Sequence, residues 1–302
     1  MNPHFPEGAR VPEYEKQPVS IRLEFFRHDE KAKATTSGDR TGDEFVRLTP
    51  QGRIHSTEVG KTKNPHPEVA VAFGSPRERS METSMRQMLA NEDDISPERS
   101  LEDIRSLVDA QLKVGKKDKV IAELNFDWDT NKAFHDLAYQ HFMETKDTLA
   151  FLYHDSDKVV KENKDTASSA YTRMAANFAS MVKKYVEILP RWKELIKENP
   201  DKYAASGNQM ERYFGSHAAA VENFLMKTME KVEGKEAVEE FLKGPKKNGF
   251  AYSEGYTVDI KDSEAGPQIT LTYDGKVYPL SENILNEMIK EGQELEAEVQ
   301  AN

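Results

Sequence analysis

Two segments of this 302-residue chain end an apolar run in a histidine, IRLEFFRH at Arg27-His28 and MERYFGSH at Ser216-His217. An imidazole can act as a nucleophile or exchange a proton near neutral pH, and a neighbouring guanidinium can hold an anion through charge-assisted hydrogen bonds. If both runs are strands of an open α/β sheet, both imidazoles fall at carboxyl ends, where such sheets bind their ligands, and they could converge on one site. The plainer alternative for either histidine is a satisfied structural residue at the end of a strand. The helix expected directly after His217 presents unpaired N–H groups and partial positive charge to the strand end, which suits a phosphate dianion. The helix after Ser75-Pro76 does the same, each effect being worth about 1 kcal/mol.

Positioning these groups requires regular elements. Ile21, Leu23 and Phe25 alternate with Arg22 and Glu24, a strand pattern. Thr49 and Pro50 read as the N-cap and first residue of a short helix. VAVAFGSP is a second buried strand, with Ser75-Pro76 repeating the cap-plus-proline signature before a helix that carries Met81, Met85, Met88 and Leu89 on one face. Residues 97–114 form an amphipathic helix, and KVIAELNF a strand or extended edge. From about residue 130 the period lengthens to long helices, with Pro190 expected to kink or end the second of them. Strand character returns at MERYFGSH, and Asp274-Gly275 is a two-residue hairpin signal between two alternating runs before a final acidic helix.

The alternation is of α/β type and predicts a three-layer fold, a mixed and mostly parallel sheet flanked by helices, with the strands ending at His28, Ser75 and Ser216 in one sheet. Residues 1–19, rich in Pro, Gly and charge, are expected to be an extended or disordered tail. Residues 20–129 and 208–302 then make the core, and 130–207 a helical insertion.

Composition removes other classes. The 37% of apolar residues suffices for one large core, and a formal net charge of −11 argues against binding nucleic acid chiefly by backbone electrostatics. With no cysteine there is no disulfide, thiolate nucleophile or Cys-based metal site. No apolar run reaches the roughly 20 residues that span a bilayer, and the N-terminus lacks an apolar signal core, so a cytoplasmic protein without membrane contact is expected.

FFRHDE resembles the RHG motif with which histidine phosphatases open, and VRLTPQGR resembles their Leu-Thr and glycine helix start. GSPRERSMET is similar to their segment carrying a second arginine, IAELNFDW to their acidic segment, and GSHAAAVENFL to their SHGG strand-to-helix turn. The five occur in the family's order, and the ordered combination is far more specific than any one. The chain thus resembles the histidine phosphatase superfamily, of the phosphoglycerate mutase-like branch 1 type.

That resemblance implies a phosphohydrolase that cleaves a phosphate monoester through a phosphohistidine. His28 would be the nucleophile, Arg27 and Arg79 the phosphate-binding arginines, His217 the second histidine and Glu123 the proton donor and base. Neither metal nor other cofactor is implied, and the substrate would be a small phosphate ester or a phosphorylated peptide, with the insertion shaping its pocket as a cap. Arg40 could reach the substrate from the loop after His28 or stay an exposed loop residue. Arg79 could instead belong to a solvated helix face with Arg77 and Arg86, and Asp127, Asp129 and Glu82 compete with Glu123.

Two departures from the family pattern stand out. Asp29 replaces the usual glycine, where its charge could repel a phosphate unless it turns away or pairs with a base such as Lys31 or Arg40. Ala218 and Ala219 replace the glycines after the second histidine, a change expected to be benign at a helix N-terminus. A non-catalytic, phosphatase-like binding or regulatory protein and a phosphoglycerate-type mutase are the competing functions.

Overall fold

The computed structural model describes residues 18–33, 40–43, 45–111, 119–120 and 129–301. The expected N-terminal tail lies outside them up to residue 17. The chain begins with β1 (Ser20–Arg27), a one-turn helix α1 (Arg40–Asp43), α2 (Pro50–Lys63), β2 (Ala70–Gly74), α3 (Glu78–Met88), α4 (Leu101–Gln111) and a short β3 (Lys119–Val120). It continues through α5 (Lys132–Thr145), α6 (Thr148–His154), α7 (Ser156–Glu162), α8 (Tyr171–Glu198) and α9 (Pro200–Tyr203) to β4 (Gln209–Ser216). The last elements are α10 (Ala220–Glu233), α11 (Lys235–Lys243), β5 (Gly255–Lys261), β6 (Gln268–Tyr273), β7 (Lys276–Leu280) and α12 (Glu282–Ala301).

The seven strands among the described residues form one sheet in the order β3-β2-β4-β1-β5-β6-β7. It is mixed, and its two halves differ: β3, β2, β4 and β1 pair in parallel, whereas β5, β6 and β7 continue antiparallel from β1. The parallel half follows from the helices that separate those strands. Within the antiparallel half, short connections join β5 to β6 and β6 to β7, the last a turn with positive φ at both Asp274 and Gly275, as the Asp-Gly signal predicts, while β5 meets β1 from the far end of the chain.

Period-two alternation sends the strand side chains into two cores. Leu23 and Phe25 of β1, Phe73 of β2 and Phe214 of β4 join the helical layer of α8, α10 and α12. Phe26, Ala72 and Tyr213, one position along, meet Met81, Met85 and Met88 of α3 with Leu101 and Ile104 of α4 on the other face. The result is the three-layer α/β fold, helices on a sheet on helices.

A row of stacked phenylalanines fixes the register of the central strands. Phe25 lies 4.8 Å from Phe214, and Phe214 lies 4.9 Å from Phe73, each pair nearly parallel. The pairing Phe25↔Phe214 carries Arg27 to Ser216 two residues on, and Phe73↔Phe214 brings Gly74 to Gly215. Because side chains alternate strictly, a slip of one residue would move every one of these rings to the wrong face.

All described residues from Lys132 to Ser206 that are in regular elements are helical. They do not form a detached cap. The apolar stripe of α8 lies on the sheet, with Phe178 5.4 Å from Phe25 and Tyr185 edge-on to Phe214 at 6.1 Å. A 28-residue helix with that stripe buries more surface as a layer of the core than it could standing over a pocket. Nor does Pro190 end α8, which runs on to Glu198. No described helix is long and apolar enough to cross a membrane.

Candidate active site

The parallel ladder runs beyond the strands and aligns three of their ends. The backbone N–H of His28 donates to Ser216 O at 2.8 Å, and that of Ser75 to Gly215 O at 3.0 Å. His28 and His217 therefore stand side by side, their rings 5.1 Å apart and edge to face. Both side chains are buried, at 7% and 5% exposure.

The network assigns His28 one tautomer. Its Nδ1 can only donate to the Asp29 carbonyl, 2.7 Å away, and Arg79 Nε–H points at its Nε2 at 3.2 Å. Nε2 is left with its lone pair. Burial, followed by the neighbouring His217 and the Arg79 and Arg27 cations, holds His28 well below the ordinary histidine range, only partly offset by its bond to the Asp29 carbonyl. The ring is thus a neutral imidazole near pH 7 whose Nε2 lone pair accepts from Arg79 and has to leave that contact before it can attack.

Arg79 arrives from the first turn of α3. That helix comes close to the sheet because β2 ends in Gly74 and β4 carries Gly215 next to its last residue. A Cβ on Gly74 would meet Met81 Cα and N at 2.7 Å, and one on Gly215 would meet Ser80 O at 2.2 Å. Ser75 is not the cap of α3, contrary to its cap-plus-proline signature: the N-cap is Arg77, with no side-chain cap bond. The Ser75 hydroxyl instead lies 2.8 Å from His217 Nε2, with Ser80 Oγ at 3.4 Å. A capping residue at that position has been turned to holding the second histidine.

Arg27 is anchored from the far end of the chain. Its Nη1 donates to the Phe250 carbonyl and its guanidinium lies 4.7 Å over the Tyr252 ring. Its buried Nε has no hydrogen-bond partner among the described residues. His217 is followed by Ala218 and Ala219 before α10 begins, and Ala219 has φ +74°. The expectation that alanine is benign here is corrected: this conformation favours glycine, and a Cβ carries steric cost in it.

Arg27, His28, Arg79 and His217 line one open cavity of about 340 Å³, together with Lys31, Asp43, Arg77, Ala218 and Tyr252. No residue of α5 to α9 lines it, so the helical region does not shape this pocket as the expected cap. Asp43 is its one carboxylate among the described residues. Burial works against its ionisation, but Lys31 Nζ at 2.9 Å and Arg79 at 2.8 Å outweigh that and hold Asp43 well below the usual carboxylate range. Arg77 donates to the same Oδ2 at 2.6 Å.

Asp29 turns away from the cavity. Its carboxylate accepts the Ser253 hydroxyl and faces His55 Nδ1 at 2.7 Å, so its partner is neither Lys31 nor Arg40. Glu82, fully buried, pairs with Arg53 and Arg86 as a structural ion pair. Asp129 uses its backbone N–H on Ser169 Oγ and lines a different cavity. Glu123, Asp127 and the side chain of Arg40 lie outside the described residues. Sequence reasoning missed Asp43, Tyr252, Ser253 and the partnership of His55. Nothing local marks them, since each acquires its role by meeting a residue on another element.

Fold and site together define an α/β protein with a cavity lined by two strand-end histidines and convergent arginines. No protein-family model matches the chain, and no curated protein matches it. Among solved structures it is similar to a mycobacterial hydrolase at 12% identity, covering 90% of this chain and 97% of that one with a TM-score of 0.40. A mycobacterial glucosyl-3-phosphoglycerate phosphatase aligns at 10% identity over 85% of this chain and 100% of its own, TM-score 0.41. An open-reading-frame product of Mycobacterium tuberculosis aligns at 15% over 85% and 99%, TM-score 0.42. Likeness at this level assigns no reaction, which has to be argued from the site's own residues.

Proposed function

We propose that this chain is a phosphohydrolase of the histidine phosphatase type, cleaving a phosphate monoester through a phosphohistidine on His28. One observation carries the reading: a buried imidazole, with Nδ1 held by the Asp29 carbonyl and Nε2 facing Arg79, lines a pocket that also holds Arg27 and a second histidine. In the first step the Nε2 lone pair forms the N–P bond as the ester P–O bond breaks, and the leaving oxygen takes a proton. Water then forms a new P–O bond as P–N breaks, returning the lone pair to Nε2. Arg27, Arg79 and His217 would hold the equatorial oxygens by charge-assisted hydrogen bonds. Glu123 is carried as the acid and base by the sequence resemblance alone.

The competing non-catalytic reading is favoured by one specific contact. Arg79 gives Nη1 to the Asp43 backbone carbonyl and Nη2 to its carboxylate, so a phosphate must displace Asp43 to use that edge. A screen of phosphorylated metabolites and peptides, followed by rapid quench with substrate labelled in the phosphate, decides between them. The expected result is acid-labile, alkali-stable label on His28, with His28→Ala lowering turnover by roughly 10³-fold or more and the fold retained. Absence of label together with near wild-type turnover in His28→Ala would move the nucleophile elsewhere.

A further inference from the structure

We infer that the Asp29 carboxylate is the positioning device that locks His28 in its Nδ1–H tautomer. The inference rests on the phosphohydrolase reading for its kinetic consequence only. Asp29 is 1% exposed and every polar atom of the residue is engaged. Its N–H donates to Thr83 Oγ1 on α3 at 3.0 Å, and its carbonyl accepts His28 Nδ1–H at 2.7 Å. Carboxylate Oδ1 accepts the Glu30 N–H at 2.7 Å, and Oδ2 takes Ser253 and His55.

The decisive feature is that the Asp29 carbonyl and the Glu30 N–H belong to the same peptide unit, which is planar. Oδ1 holds one side of that plane while the other side accepts the proton of His28. Fixing the N–H therefore aims the carbonyl, and the carbonyl decides which ring nitrogen of His28 carries hydrogen. Oδ2 in turn anchors the carboxylate on α2 through His55 and on the turn before β5 through Ser253, a residue held at φ +57°. That turn also supplies the Phe250 carbonyl and Tyr252 ring that hold Arg27. One buried side chain thus ties the candidate nucleophile to the loop that places a candidate phosphate-binding arginine.

A mere ion pair with His55 makes a different demand. An ion pair depends on charge and tolerates Asp29→Glu better than Asp29→Asn. The peptide lock depends on an acceptor at one fixed distance from the Glu30 N–H, which Asn supplies and Glu, longer by a methylene, does not.

The test is the tautomer of His28, read from ¹H–¹⁵N correlation spectra of protein labelled in its histidine rings, with the signal assigned by its loss in His28→Ala. Wild type and Asp29→Asn should both show Nδ1–H, whereas Asp29→Ala and Asp29→Glu should show a mixture or the Nε2–H form. With a phosphate ester that is turned over, the last two should lose on the order of 10- to 100-fold in kcat, with KM changed less than about threefold. Should one of those two variants not fold, the other gives the same contrast against Asp29→Asn. A wild-type tautomer and kcat in Asp29→Ala, or loss in Asp29→Asn with retention in Asp29→Glu, overturns the lock. If the tautomer pattern holds but wild type hydrolyses no phosphate ester, the lock stands and the phosphohydrolase reading falls.

Discussion

At the scale of single residues, the site is set by which partners each charged group already has. Arg79 spends three nitrogens on His28 and Asp43, and Asp43 spends both oxygens on Arg79, Arg77 and Lys31. A carboxylate held by three cations occupies the ground an incoming phosphate needs. Asp43→Asn should therefore tighten binding of inorganic phosphate or vanadate, on the order of tenfold for one charge-assisted competitor removed. Titration calorimetry of the two proteins at equal ionic strength checks this, and equal or weaker affinity in the variant would show that Asp43 does not compete.

At the scale of elements, the site depends on how closely α3 approaches β2 and β4. Gly74 and Gly215 admit the backbone of α3 at distances no Cβ could tolerate, and the same turn of helix delivers Arg79 and Ser80. Gly215→Ala should push α3 outward, costing about 1 to 3 kcal/mol of stability by overpacking and weakening phosphate binding as well, since Ser80 and Arg79 move together. Thermal unfolding with a binding titration tests both halves. A variant of wild-type stability and affinity would mean that α3 shifts without consequence.

At the scale of the whole molecule, one buried acid couples folding to pH. Glu222 on α10 is fully buried, and its Oε1 accepts the Phe250 N–H while Oε2 has no hydrogen-bond partner among the described residues. Burial pushes its carboxyl from 4.5 up to about 7 against the opposing bond from Phe250 and the Arg27 cation. The folded protein thus keeps a proton that the unfolded chain loses near 4.5, so this contribution to stability is complete below about 4.5 and is lost as pH rises through about 7. The size is roughly 2 to 3 kcal/mol between pH 5 and 8. Glu222→Gln removes the linkage, and urea unfolding should find the variant gaining on wild type by about that amount over the interval. A difference between the two that does not change with pH would place the proton elsewhere.

The order of strands and helices was legible in the sequence because it rests on local signals. Period-two runs at residues 21–26 and 210–214, the Thr49-Pro50 cap and the Asp274-Gly275 turn each act over a few residues, and the structure contains a strand, a helix start and a hairpin there. Arg27, His28 and His217 could be noticed as strand-end residues for the same reason, whereas Arg79, and a joint role for the four, came from the resemblance of their segments to a known family. Contacts across the chain decided the rest. Asp29 could be read as a threat to phosphate until His55, 26 residues away, and Ser253, 224 away, were seen to draw it aside. Ser75 carries a capping signature that lost to a histidine 142 residues on. The stripe on α8 announced burial but not its partner, because periodicity measures how much surface must be covered and leaves the covering surface to the fold. Which groups share a pocket is a property of the register of β1, β2 and β4, and that register is set by three phenylalanine rings that meet only in the folded sheet.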